Sequence, residues 1–248
     1  MLKILFLFFL LSANNLVGKQ LDSIITYNDH FEVALGHYES KRYKLAESEF
    51  KKILIERKSF SDPVTHLMVA KSQYFQNKLI ECQRTCNSFL NKYPKSKYDV
   101  DLRILLGDIF IKQEQYADAI EQLLSTRNEV LDPILQYSID NRILSSIIIG
   151  INADKIERLL FSNEERINRS IINLAKSYKA LLDGDMNGME LSLSVIEEDI
   201  IPFQYKNLYA GLNRFIGGKN NRHGTVAIIL PLSGQDKIKG QTFLMGLS

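Results

Sequence analysis

Residues 37–50 read HYESKRYKLAESEF: an aromatic side chain at Tyr38, a short polar turn at Ser40-Lys41-Arg42, then Tyr43-x-x-Ala46 and a bulky Phe50 four residues further on. The arrangement returns twice. Tyr74, Gln76-Asn77-Lys78, Leu79-x-x-Cys82 and Cys86 form the second copy, and Ile111, Gln113-Glu114-Gln115, Tyr116-x-x-Ala119 and Leu123 the third. The large-x-x-small element moves by 36 and then 37 residues, the period of a repeating helical hairpin. Ile53, Phe89 and, less regularly, Arg127 with Val130 close the apolar face of each second helix.

Toward the amino terminus of each copy a small residue stands four before the aromatic or isoleucine position: Ala34, Ala70 and Gly107. Small residues there let two helices approach closely. The polar turns are only three residues long, so the paired helices must be antiparallel neighbours. Proline placement supports the same division, because proline inside a helix costs about 3 kcal/mol and Pro63, Pro94 and Pro133 all fall between pairs. Further on, Ile134 to Ile151 and Ala153 to Phe161 are expected to form another pair. Asn163 to Leu182 and Met186 to Ile200 form the next, broken at Asp183-Gly184-Asp185 and stopped by Pro202, and Phe203 to Phe215 a last helix.

The 248 residues are 45% hydrophobic, enough for real cores. With 31 basic and 29 acidic side chains the formal charge is +2, which encodes no global pull toward nucleic acid or anionic lipid; partners must be sought in local surface. The two cysteines, Cys82 and Cys86, stand one helical turn apart, where Cβ atoms are about 5–6 Å apart, too far for a relaxed disulfide. They are expected to be separate buried thiols. His30, His37, His66 and His223 make no ligand pattern with them, so no metal or other cofactor is expected.

Both ends read differently from the middle. Lys3, the unbroken apolar run Ile4 to Leu11 and the small or polar residues up to Gly18 have the layout of a signal peptide over residues 1–18; the run is shorter than the ~20 residues of a membrane span. Export to the periplasm or cell envelope, with no integral span after cleavage, is therefore expected. At the other end residues 217–224, Gly217-Gly218-Lys219-Asn220-Asn221-Arg222-His223-Gly224, form a polar linker, and Thr225 to Leu230 is a continuous β-branched and apolar run suited to a strand buried in a parallel sheet.

The three copies resemble the tetratricopeptide repeat family, and Lys92-Tyr93-Pro94-Lys95-Ser96 is similar to the ends of repeats in its exported bacterial members. The resemblance covers about residues 27–130, with His30, His66 and Arg103 where the family carries a first-helix tryptophan. It implies an all-α solenoid of helical hairpins over residues 22–216. Leu230-Pro231-Leu232-Ser233-Gly234, with Gly240 and Gly246, resembles the opening strand, loop and helix of type I periplasmic binding proteins, the relatives of leucine-binding proteins and of activators of penicillin-binding proteins. Residues 225–248 would then be a short β-α stub of an incomplete α/β domain, in a chain that stops mid-pattern at Ser248.

The repeat resemblance places Phe31, Leu35, Tyr38, Lys71, Tyr74, Phe75, Asp108 and Lys112 on the inward face of the first helices, where a partner protein or peptide would be held. In a complete binding domain Ser233 and Gly234 would form part of a ligand loop. No phosphate loop, metal set or catalytic constellation is evident, so the chain is expected not to be an enzyme. The reading is a non-catalytic envelope scaffold, with regulation of cell-wall synthesis suggested by the activator resemblance. The alternative is a solute receptor for a small amino-acid-like ligand, its binding domain cut short. Ser233 and Lys237 lack the spacing of a serine-lysine acyl enzyme. Asn163-Glu164-Glu165 and Glu197-Glu198-Asp199 read as solvated helix ends, and the Asn168-Arg169-Ser170 sequon lies on an expected helix.

Overall fold

The structure is a computed structural model that describes residues 29–56 and 63–217. The signal peptide expected at 1–18 and the strand-helix stub at 225–248, including Ser233 and Gly234, lie outside the described residues, as does the linker beyond Gly217. Within them the chain is helical throughout. α1 covers 29–39, followed by α2 (Tyr43–Glu56), α3 (Pro63–Phe75), α4 (Leu79–Lys92), α5 (Asp99–Lys112) and α6 (Tyr116–Glu129). Then come α7 (Pro133–Ile149), α8 (Ala153–Ser162), α9 (Arg166–Asp183), α10 (Met186–Ser194) and α11 (Phe203–Gly217). The chain divides into two compact units, one through Ser146 and one from Ile147.

In the first unit each helix packs on its neighbour in sequence from α2 to α6, and α3 also touches α5. The small positions of the repeat and the bulky ones four residues after them are the interior. Ala34, Ala70, Ala46, Cys82, Ala119, Phe50, Cys86, Leu123 and Phe89 are fully buried. The small residues have a steric reason: a β-carbon on Gly107 would stand 2.7 Å from Cγ of Leu123, so α5 and α6 touch at a distance only glycine permits. Cys82 and Cys86 are free and buried. The Cys82 thiol donates to the Ala70 carbonyl at 3.1 Å.

The turns are as regular as the helices. Lys41, Asn77 and Glu114, each the middle residue of its polar turn, adopt φ of 57°, 60° and 60°. Around each the next amide reaches back five residues: Arg42 N–H to His37 O at 2.8 Å, Lys78 N–H to Gln73 O at 3.0 Å and Gln115 N–H to Phe110 O at 2.9 Å. This is a Schellman ending, a helix stopped by one left-handed residue. Positive φ returns at Gly150 (141°) and Gly184 (77°), and Asp185 N–H again reaches back five residues, to Ala180 O at 2.8 Å. From Lys41 the five positions follow at intervals of 36, 37, 36 and 34 residues. A further positive φ, at Lys95 (68°) between α4 and α5, falls outside this spacing, and the left-handed ending with its five-residue return recurs at Lys41, Asn77, Glu114 and Gly184.

One buried polar cluster locks α2 to α3. The Glu47 side chain is 6% exposed and accepts from Lys51 Nζ (2.6 Å), Lys78 Nζ (2.7 Å), Gln73 Nε2 (3.0 Å) and Gln76 Nε2 (2.8 Å). Burial alone would raise its carboxyl, but these four donors outweigh it and hold the group down at about 2.

In the second unit α9 packs against α8 and α10, and α11 against α9 and α10. Tyr205, Leu208 and Leu212 form the buried face of α11, while Lys206, Asn207, Asn213 and Arg214 are exposed. Asn168 is 1% exposed within α9, so its sequon is closed to modification in the folded chain. α10 ends at Ser194, six residues before the helix expected to Ile200. Glu197, Glu198 and Asp199 would have been three successive carboxylates at the negative end of the helix dipole, and Glu197 instead meets Arg166.

Candidate binding groove

The first helices of successive hairpins bring one face together in the first unit. Tyr38 from the end of α1, Lys71, Tyr74 and Phe75 from α3, and Asp108 from α5 line a cavity of about 370 Å³, completed by Asp101, Ile104 and Leu105 of α5 and Leu135, Ser138 and Arg142 of α7. Five of the eight residues assigned to the inward face thus meet at one place. Lys112 adjoins them, its Nζ 3.8 Å from the centroid of the Tyr74 ring. Phe31 and Leu35 lie elsewhere, packed on the core of Ala34, Ala46 and Phe50, with the Phe31 and Phe50 rings 5.3 Å apart.

Four rings form a continuous wall beside the cavity. Tyr43 stacks on Phe75 at 4.8 Å and an interplanar angle of 17°. Tyr38 meets both edge-on, at 5.5 Å and 6.0 Å, and Tyr74 meets Phe75 at 5.5 Å. Phe75 remains half exposed despite these neighbours. Burial and the nearby Asp108 push the Tyr74 hydroxyl up to about 12, and burial with the neighbouring Tyr43 raises that of Tyr38. Both phenols are therefore neutral donors at neutral pH.

Two ion pairs cross the floor between first helices. Arg142 Nε donates to Asp108 Oδ1 at 2.7 Å and Nη2 to Oδ2 at 3.2 Å, a two-pronged contact. Its remaining Nη1 donates to Ser138 Oγ at 2.6 Å and to the Ser138 carbonyl at 3.1 Å. Lys71 Nζ lies 3.8 Å from Asp101 Oδ1, the looser contact. Arg142 escaped the sequence reading, although a signal existed: it stands 34 residues after Asp108, one repeat later.

This arrangement offers aromatic faces, neutral phenol donors and partly exposed charges. The hydrogen bond to Cys82 and then burial raise the Cys86 thiol far above its ordinary range. Among the described residues no group of three or more histidine, cysteine or carboxylate side chains could hold a metal ion, and no helix is long and apolar enough to cross a membrane. No protein-family model matches the chain, and no curated protein matches it.

Proposed function

We propose that this chain is a binding scaffold of tetratricopeptide type, exported to the cell envelope, that holds an extended segment or a helix of another protein in the groove of its first unit. The observation that carries the reading is the convergence of Tyr38, Lys71, Tyr74, Phe75 and Asp108 on one open cavity. Half-exposed aromatic side chains on rigid helices are the usual anchors of protein interfaces, because they bury much area at little entropic cost. Export follows from the amino-terminal pattern Lys3, Ile4 to Leu11 and Gly18. A regulator of cell-wall synthesis is the activity that the carboxyl-terminal resemblance suggests.

A photo-crosslinking side chain placed at Phe75 or Lys112 tests the groove in cells. Adducts should form there, and not at the exposed Glu81 on α4, and Tyr74→Ala should abolish them. Equal adducts at all three positions would refute a groove-directed scaffold.

A further inference from the structure

The ends of the hairpins opposite the turns carry a different surface. From Thr85 to Tyr98 the chain has three cations, Lys92, Lys95 and Lys97, and no carboxylate. All three are exposed, and among the described residues none pairs with a carboxylate. The next two acids are already engaged, Asp99 by Arg103 at 3.0 Å and Asp101 by Lys71. Lys92 and Lys97 lie over the rings of Tyr93 and Tyr98, 4.9 Å and 5.0 Å from the centroids, which positions their ammonium groups at the link between α4 and α5.

The α6–α7 link emerges at the same end, since α4, α5 and α6 are successive antiparallel neighbours. There Leu131 is 92% exposed, Ile134 80% and Tyr137 53%. Of the two acids in that link, Glu129 is exposed, and Asp132 accepts the Ile134 amide at 2.8 Å as a cap on α7. Lysines without a carboxylate partner among the described residues, at the same end of the hairpins as solvent-facing aliphatic side chains, match a laterally uniform anionic surface with an apolar layer beneath it.

We propose that this end of the first unit docks on an anionic lipid bilayer, Lys92, Lys95 and Lys97 meeting phosphate headgroups while Leu131 and Ile134 enter the boundary with the acyl chains. Tyr38, Tyr74, Phe75 and Lys112 stand at the opposite ends of α1, α3 and α5, beside the turns, so a membrane-bound scaffold keeps its aromatic wall free.

The chain has no tryptophan, so Leu131→Trp gives a single reporter in the full-length protein. With vesicles one-third phosphatidylglycerol in phosphatidylcholine its emission should shift to the blue. Pure phosphatidylcholine should produce no shift. Each lysine near an anionic surface contributes about fivefold to association, so Lys92→Gln, Lys95→Gln and Lys97→Gln together should weaken the titration by roughly a hundredfold, and 0.5 M salt should do likewise. Unaltered circular dichroism melting of the triple variant separates lost binding from lost fold. Emission that stays unshifted on anionic vesicles, that shifts equally on neutral ones, or that responds unchanged in the triple variant would overturn the proposal. An acidic protein partner would give the first of these results.

Discussion

Gly107 on α5 faces Leu123 on α6 across a gap with no room for a methyl group, a β-carbon on the glycine falling 2.7 Å from both Cγ and Cδ2 of the leucine. Gly107→Ala should therefore destabilise the first unit by about 1–3 kcal/mol through overpacking, although alanine is the better helix former. Leu123→Ala should cost about 2–5 kcal/mol, Leu123 being fully buried. The double variant should cost clearly less than the two combined, because the new methyl group occupies space that the leucine vacates. Strict additivity in urea denaturation would contradict the close approach.

The left-handed turn residues give a prediction of opposite sign. Glu114 holds φ 60° with a side chain that disfavours it, whereas Gly184 takes φ 77° at the equivalent turn of the second unit. Glu114→Gly should stabilise by up to about 1 kcal/mol, and Gly184→Ala should destabilise by about 1 kcal/mol. A lower urea midpoint in the first and an unchanged one in the second would mean that the turns are not held in these conformations.

The repeat was legible because its signal is steric and local. Large and small residues at fixed spacing around three-residue turns can be aligned by eye; the small positions and the bulky ones four residues after them are buried, while Tyr43, Leu79 and Tyr116 are only partly so. The fourth and fifth turns were less visible as repeats, since Ile143, seven residues before Gly150, stands where Ala34, Ala70 and Gly107 precede the earlier turns. Glu47 was not legible at all. A charged residue after Ala46 reads as solvated, and its burial depends on Gln73 and Gln76, 26 and 29 residues away. The groove was half legible: α3 and α5 supplied its residues by position, while Arg142 required knowing which face of α7 turns toward Asp108.

Glu47 should dominate the acid sensitivity of the first unit. Its carboxyl titrates at about 2 in the folded chain and near 4.3 in an unfolded one. The protons thus bind the unfolded state first. The stabilisation, about 3 kcal/mol, is complete above pH 5 and disappears as pH falls from about 4.3 through 2. Glu47→Gln should flatten stability against pH across that window in urea titrations. A slope equal to that of the unmodified chain would show that other carboxylates govern it.

Two arginine–aspartate pairs of similar geometry should differ severalfold in worth. Arg127 Nε meets Asp140 Oδ1 at 2.7 Å with side chains 10% and 2% exposed; Arg142 Nε meets Asp108 Oδ1 at the same distance with 32% and 21%. Removing one partner of a buried pair strands a charge away from water, at about 3–5 kcal/mol. The partly exposed pair leaves an arginine that water and Ser138 can still satisfy, and such pairs contribute about 1 kcal/mol or less. Asp140→Ala should therefore come close to unfolding the first unit, while Asp108→Ala should lower its urea midpoint only slightly. The contrast has a functional use. If Asp108→Ala melts almost normally, any loss of groove crosslinking in that variant reports on the site itself, since removing the carboxylate frees Arg142 in the groove without emptying the core. Equal destabilisation by the two substitutions would contradict the difference in burial on which the argument rests.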